Sequence, residues 1–134
     1  MKRIKMILIL MIPLLLTGCS STLKCTIETN NYNSKVKIKF KDDKPITYTY
    51  KDEMKFSPTS ADAEIYYHTK YSELSNLISS RNAHIGNNKD SITIKVNYDF
   101  TKDKSDGEGN LLINRNDTKK EAIKKIESSG FTCK

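Results

Sequence analysis

The sequence predicts an α+β domain, in which an antiparallel sheet (a meander plus further strands) carries two α-helices packed on one face. Two kinds of spacing support this fold class. In some segments apolar residues alternate with polar ones, which is the period of a half-buried strand. In two others they recur every three or four residues, the period of an amphipathic helix. A polar, turn-rich segment separates each element from the next.

The first segment has the layout of an export signal. A charged start with two lysines and an arginine is followed by an apolar run over 6–16 and then by small residues before Cys19. This run cannot cross a bilayer, because a membrane helix needs about twenty apolar residues, and Pro13 also interrupts it. The segment therefore predicts export and not a membrane span.

The tetrad Leu16-Thr17-Gly18-Cys19 is typical of a bacterial lipoprotein signal. We expect a diacylglyceryl group on the Cys19 thiol, cleavage just before Cys19, and a signal peptide over 1–18. Two acyl chains suffice for stable anchoring, so the predicted location is the cell membrane, lipid-anchored and facing outside the cytoplasm. The alternative is an ordinary thiol that follows a secretory leader or an aborted membrane helix.

Removal of 1–18 lowers the formal charge from +7 to +4, with 20 basic and 16 acidic residues left. Much of the basicity therefore belongs to the export signal. The remaining 116 residues suit one hydrophobic core but not two. We expect a lipidated tether over 19–23 and a single domain over 24–134.

Cys25 and Cys133 form an even pair once Cys19 carries lipid, and the predicted compartment permits oxidation. We predict a disulfide that ties the first strand to the last residues. Two free thiols and a redox-active pair are the alternatives, although redox motifs usually keep their cysteines two residues apart.

Three consecutive strands are predicted at 24–29, 34–41 and 45–56, forming an antiparallel meander. In the second, Val36, Ile38 and Phe40 share one face and the intervening lysines share the other. Asp52 falls on the apolar face of the third strand, so we expect a bulge or bend there. The residues at 57–60 break the pattern.

Helical spacing then predicts a helix from 61 to about 80, capped by Ser60, with an apolar stripe. That stripe consists of Ile65, Tyr71, Leu74, Leu77 and Ile78. A loop is predicted over 82–88, a strand over 90–100, a polar loop over 102–110 and a short strand over 111–113. Thr118 and Glu121 form a capping box for a closing helix to Ser129, and Gly130 is the expected residue after its end.

This order of parts resembles the small bacterial lipoproteins of the YehR type, a family with no established biochemical role. The similar stretches are the lipobox cysteine Cys19, the hairpin over 35–44 with the Tyr-rich, Met54-bearing strand after it, the strand over 91–100, and the closing helix over 118–131. The resemblance implies an α+β domain on a lipid anchor and no catalytic role.

The search for catalytic or metal-binding chemistry yields little. His68 and His84 are sixteen residues apart, without a cysteine or carboxylate at metal-ligand spacing. Four residues resemble part of a calcium loop, namely Asp103, Asp106, Gly107 and Glu108. Aligning Gly107 with the glycine of that motif puts Lys102 and Lys104 where carboxylates belong. We expect no metal, no cofactor and no nucleic-acid partner.

Two features remain as candidate sites. Lys35, Lys37, Lys39 and Lys41 make a basic stripe that can meet anionic headgroups or envelope polyanions. The alternative, which the sequence favours, is that these lysines keep the sheet soluble and prevent edge pairing. Six tyrosines can line a ligand groove between the sheet and the first helix, or lie at the core boundary with their hydroxyls in solvent. They are Tyr48, Tyr50, Tyr66, Tyr67, Tyr71 and Tyr98.

We therefore expect a monomeric lipoprotein of the cell envelope that is a non-enzymatic binding or structural module. Its predicted partners are the membrane, through the diacylglyceryl group on Cys19, and an envelope polyanion or protein. Capture of a small ligand is an alternative that requires a concave aromatic pocket. A small envelope hydrolase or redox protein is a further alternative that requires a cleft with paired titratable groups.

Overall fold

The computed structural model describes residues 19–56, 60–103 and 106–134. The predicted signal peptide over 1–18 lies outside this range, as do 57–59 in the predicted break and 104–105 in the polar loop. The described strands are β1 (Ser20–Glu28), β2 (Tyr32–Lys41), β3 (Lys44–Lys55), β4 (Ala83–Asn87), β5 (Ser91–Asp99) and β6 (Thr132–Cys133). The described helices are α1 (Ala61–Glu73), α2 (Ser75–Ser79), α3 (Lys119–Ser128) and a 3-10 turn (Asp106–Asn110).

The strands form one antiparallel sheet in the order β4-β5-β3-β2-β1-β6. The predicted α+β class and the β1–β2–β3 meander are confirmed. Alternate residues of each strand face one hydrophobic core, which includes Val36, Ile38 and Ile94 from the sheet. Leu77 of α2 and Ile126 of α3 belong to the same core, so the helices cover one face and leave the other open.

β1 begins at Ser20, four residues earlier than predicted. Ser20 is paired with Lys41, and Leu23 is paired with Ile38. Leu23 is buried, because it continues the inward alternation that leads to Cys25. The prediction of a tether over 19–23 is therefore wrong for 20–23, and the domain follows Cys19 directly.

The predicted bulge at Asp52 is also wrong. The register is interrupted between Lys39 and Phe40, where Lys39 opposes Thr47 and Phe40 opposes Pro45, so Ile46 is the extra residue. Pro45 has no N–H for the ladder, which makes an irregularity next to it inexpensive. Asp52 stays in register with Ser34 on one side and Ile94 on the other.

The predicted helix over 61–80 is two helices that meet at Leu74. Ser60 caps α1 as predicted, since its side chain accepts a hydrogen bond from the Asp62 N–H. The predicted apolar stripe is wrong for α1, because Ile65 is 65% exposed, Tyr71 is 48% exposed, and none of the described α1 residues is buried. From Leu74 onward the stripe is correct, because Leu74 and Leu77 lie in the core.

Two short segments also differ from the prediction. The predicted loop over 82–88 contains β4, an edge strand in which Ile85 opposes Ile94. Residues 111–113 form no strand, although Ile113 is buried in the core. Both segments are short, and a run of three to five residues has too little periodicity to separate strand from loop.

The closing helix is confirmed. Thr118 and Glu121 form the predicted capping box at the start of α3. Gly130 has a φ of 96°, which suits the residue after a helix end, and Phe131 is buried. This turn lets the chain return as β6 beside β1.

Candidate functional site

A cleft of about 400 Å³ lies between the core face of the sheet and the helical layer. β3 supplies Tyr48 and Tyr50, because alternate residues of a strand point to the same side. The end of α1 and the residue after it supply Lys70, Glu73 and Leu74. The other lining residues are Ile27, Tyr32, Ile94, Val96, Asn110, Leu111, Leu112, Ser129 and Phe131.

Beside this cleft, a buried aspartate is surrounded by tyrosine hydroxyls. Oδ2 of Asp52 accepts hydrogen bonds from Tyr50 at 2.7 Å, Tyr32 at 3.1 Å and Tyr66 at 3.2 Å. Asp52 is only 4% exposed, and its Oδ1 is buried without a hydrogen-bond partner. The three donors come from β3, β2 and α1, so the carboxylate links the sheet to the first helix.

Burial dominates the electrostatics of this cluster. It raises the pKa of Asp52, while the hydrogen bonds from the three tyrosines and the charge of Lys70 oppose the rise. Burial also raises the pKa values of Tyr50 and Tyr66, and the nearby Asp52 raises them further. The tyrosines therefore stay neutral and act as hydrogen-bond donors.

The cleft has the chemistry of a recognition site. Its walls are mainly aromatic and aliphatic, with a few polar groups at fixed places, which is the usual composition of a small-molecule site. Nζ of Lys70 lies 2.7 Å from Oε2 of Glu73 and 5.8 Å from the centre of the Tyr66 ring. The arrangement can hold an apolar or aromatic molecule and orient it through Lys70 and the tyrosine hydroxyls.

The structure separates the six tyrosines that the sequence grouped. Tyr48 and Tyr50 line the cleft, and Tyr66 reaches Asp52 beside it. The rings of Tyr67 and Tyr71 lie 6.1 Å apart on α1, away from the cleft. Tyr98 is buried against Phe100.

Sequence reasoning missed Tyr32 and the role of Asp52. The predicted strands over 24–29 and 34–41 leave Tyr32 between them, yet it is the first residue of β2. The available signal was one acidic residue on an otherwise apolar strand face with a tyrosine two positions before it. Such a residue needs buried donors, and tyrosine hydroxyls are suitable ones.

The predicted lysine stripe exists. Lys35, Lys37, Lys39 and Lys41 are all exposed and point away from the core. β2 lies between β1 and β3, so the stripe crosses the middle of the open face of the sheet and not its edge.

The three cysteines have different environments. Cys25 and Cys133 form the predicted disulfide, opposite each other in the β1–β6 pair. Cys19 is free and exposed, and it directly precedes β1. Its carbonyl oxygen accepts a 3.3 Å hydrogen bond from the Asp42 N–H.

The two histidines do not meet. His68 is on α1, where Nε2 lies 3.9 Å from Oε1 of Glu64, and His84 is on β4 and not in a loop. Within the residues that the structure describes, no group of three or more His, Cys, Asp or Glu side chains is placed to hold a metal ion. Over the same residues, no helix has the length and apolar character needed to cross a membrane.

Comparisons with known proteins add little to this geometry. No protein-family model matches the chain, and no curated protein matches it. A solved structure, the NMR structure of a protein from Streptococcus pneumoniae TIGR4, is similar over 88% of this chain and 87% of its own, with 11% identity and a TM-score of 0.49. The resemblance to YehR-type lipoproteins stays a prediction.

Proposed function

We propose that this chain is a lipid-anchored protein of the cell envelope that acts as a non-enzymatic binding or structural module. The main support for a lipid anchor is that one of the chain's three cysteines is free and the other two are bonded to each other. Cys25 and Cys133 are joined to each other, whereas Cys19 is exposed and free. Cys19 also ends the export-signal pattern in the sequence, so its thiol is the one available for lipid.

The fold supports anchoring close to the bilayer. Ser20 is already paired with Lys41, so no flexible spacer separates Cys19 from the sheet. A domain held through Cys19 would stay within a few residues of the lipid surface.

Replacement of Cys19 tests the anchor. Expressed with its leader in a bacterium fed a labelled fatty acid, the wild-type chain should carry the label and sediment with membranes, as should the control variant Thr22→Ala. Cys19→Ala should carry no label and should leave the membrane fraction on a high-salt wash. Retention of Cys19→Ala on membranes washed with high salt would contradict the proposal.

Ligand capture is a second candidate function, and the aromatic cleft favours it. A volume of about 400 Å³ falls within the range of small-molecule sites. Tyrosine rings, leucine side chains and Phe131 line it, so an apolar or aromatic molecule is the expected ligand.

A neutral fluorescent probe, 1-aminoanthracene, tests whether the cleft is accessible. Its fluorescence should rise on binding to the wild-type protein and to Ile65→Trp, since Ile65 is exposed on α1 outside the cleft. Leu111→Trp, which fills the cleft, should weaken binding at least tenfold. Equal binding by both variants would mean that the probe binds elsewhere.

A further inference from the structure

The uncovered side of the sheet carries a concentration of lysines larger than the predicted stripe. We call it the basic face and define it by the outward-pointing lysines of β1, β2, β3 and β5 other than Lys44, whose Nζ donates to the Asn116 carbonyl. They are Lys24, Lys35, Lys37, Lys39, Lys41, Lys51, Lys55 and Lys95. All eight are exposed.

The strand register places several of these lysines directly beside one another. Lys35 opposes Lys51, and Lys51 opposes Lys95, so three ammonium groups cross the sheet in a row. In the next row, Lys24 opposes Lys37. Side chains that are directly opposite in antiparallel strands are about 5 Å apart at Cβ, and like charges at that distance are unfavourable.

No described carboxylate forms an ion pair with the lysines of this row. Within the described residues, no lysine of the basic face lies within 4.0 Å of a carboxylate. The outward carboxylates of the same strands are Glu28, Glu53 and Asp99. An anionic partner would relieve the repulsion among the lysines.

Protection of a sheet edge does not explain the lysines. β2, β3 and β5 each have a strand on both sides, so their backbone groups are already paired. Solubility alone also leaves the distribution of charge unexplained. From Cys19 onward the chain has 20 basic and 16 acidic residues. The basic face holds eight lysines and three carboxylates, so the rest of this segment holds twelve basic and thirteen acidic residues.

The basic face also contains two hollows. One of about 210 Å³ is lined by Lys35, Lys51 and Lys95, with Glu53 also in its wall. Another of about 360 Å³ is lined by Lys37 and Lys39, with Asp99 and Asp103 also in its wall. Lysine is a flexible, strongly hydrated point charge, which suits attraction to many headgroups more than selection of one.

We propose that the basic face docks the domain flat on an anionic phospholipid bilayer. The charge of the face is complementary to such a surface. Lys24 is five residues from Cys19 along an extended strand, or about 17 Å, so the face begins within reach of the proposed anchor. Docking would orient a domain that is anchored through Cys19, as proposed above. The electrostatic attraction to the bilayer itself depends only on the lysines.

Vesicle binding by the segment from Ser20 to Lys134 tests the docking separately from the anchor. All the described strands and helices lie within that segment, and circular dichroism will confirm that it folds. At low salt it should sediment with phosphatidylglycerol vesicles and not with phosphatidylcholine vesicles. The binding should disappear as salt rises, because the Debye length falls from about 30 Å at 0.01 M to about 3 Å at 1 M.

Two matched triple variants test whether the attraction to the vesicles comes from the basic face. Lys35→Gln, Lys37→Gln and Lys51→Gln together should weaken the partition coefficient on the order of 100-fold, given about a fivefold step for each lysine near the surface. The control replaces Lys89, Lys120 and Lys124, which are exposed and lie off the basic face. It removes the same charge and should bind within about threefold of wild type.

Three results would overturn the proposal. The first is equal weakening by both triple variants, which would show that only net charge matters. The second is no binding to phosphatidylglycerol vesicles at low salt by the folded segment. The third is binding to soluble polyphosphate without binding to vesicles, which would assign the face to a polyanion. All three leave the Cys19 labelling result, and therefore the proposed anchor, unaffected.

Discussion

The Tyr50 hydroxyl donates a 2.7 Å hydrogen bond to Oδ2 of Asp52, two positions further along the same face of β3. Tyr32 and Tyr66 donate to the same oxygen from β2 and α1. These three hydrogen bonds stabilise a carboxylate on the inward face of β3, where the alternating pattern would place an apolar side chain. It also makes the link between the sheet and α1 polar, since α1 buries none of its described residues.

We expect Tyr50→Phe to lower the free energy of unfolding by about 1–3 kcal/mol, because it removes the shortest hydrogen bond to a buried carboxylate. Tyr67→Phe, which lies outside the cluster, should change it by less than about 0.5 kcal/mol. Urea unfolding followed by circular dichroism measures both. In an Asp52→Asn background the cost of Tyr50→Phe should shrink, and an unchanged cost would mean that the hydrogen bond contributes nothing specific.

The pH dependence of stability should reveal the charge on Asp52. Burial raises the pKa of its carboxyl in the folded state above the ordinary value of 3.8, so the folded protein binds this proton more tightly than the unfolded chain. The resulting stabilisation is fully present below pH 3.8 and is lost as pH rises through the folded pKa. Relative to Asp52→Asn, the wild type should therefore become less stable between about pH 4 and pH 7.

Urea unfolding of both proteins across that pH range measures the difference between their free energies of unfolding. The contributions of the titratable groups that both proteins contain cancel in this difference. A difference that stays constant with pH would show that Asp52 has the same pKa in the folded and unfolded states.

The disulfide should contribute substantially to stability. It closes a segment with a sequence separation of 108, for which the chain-entropy model gives up to about 5 kcal/mol. Cys25→Ser with Cys133→Ser should lower the urea midpoint of the domain, and a reductant should then have no further effect. Because Cys25 and Cys133 are joined, mass spectrometry after alkylation without reductant should find no label on the segment from Ser20 to Lys134. Labelling of Cys25 or Cys133 in the folded protein would contradict the pairing.

The capping box offers a smaller, local prediction. Thr118→Ala removes the hydroxyl that accepts from the Glu121 N–H at 3.2 Å and should cost about 1 kcal/mol in unfolding free energy. Thr118→Ser keeps that hydroxyl and should cost only a few tenths of a kcal/mol. Equal losses in the two variants would point to the lost methyl group and not to the cap.

Local patterns account for the predictions that succeeded. The alternation around Val36 and Ile38, the capping box at Thr118 and the glycine at 130 each act within a few residues, so they can be read without knowledge of the fold. The apolar stripe predicted for α1 and the loop predicted over 82–88 failed because the exposure of Ile65 and Tyr71 and the pairing of β4 depend on packing against distant strands.

The sequence by itself determined the α+β class, the meander, the disulfide partners and the row of lysines on β2, since these follow from short-range period and from counting cysteines. Only the tertiary structure decided that Tyr32 and Tyr66 would meet Asp52, and that Lys51 and Lys95 would extend the lysine row into a face. Both depend on strand register and helix placement. Register is set by how all the inward side chains pack together, which no single segment of the sequence specifies.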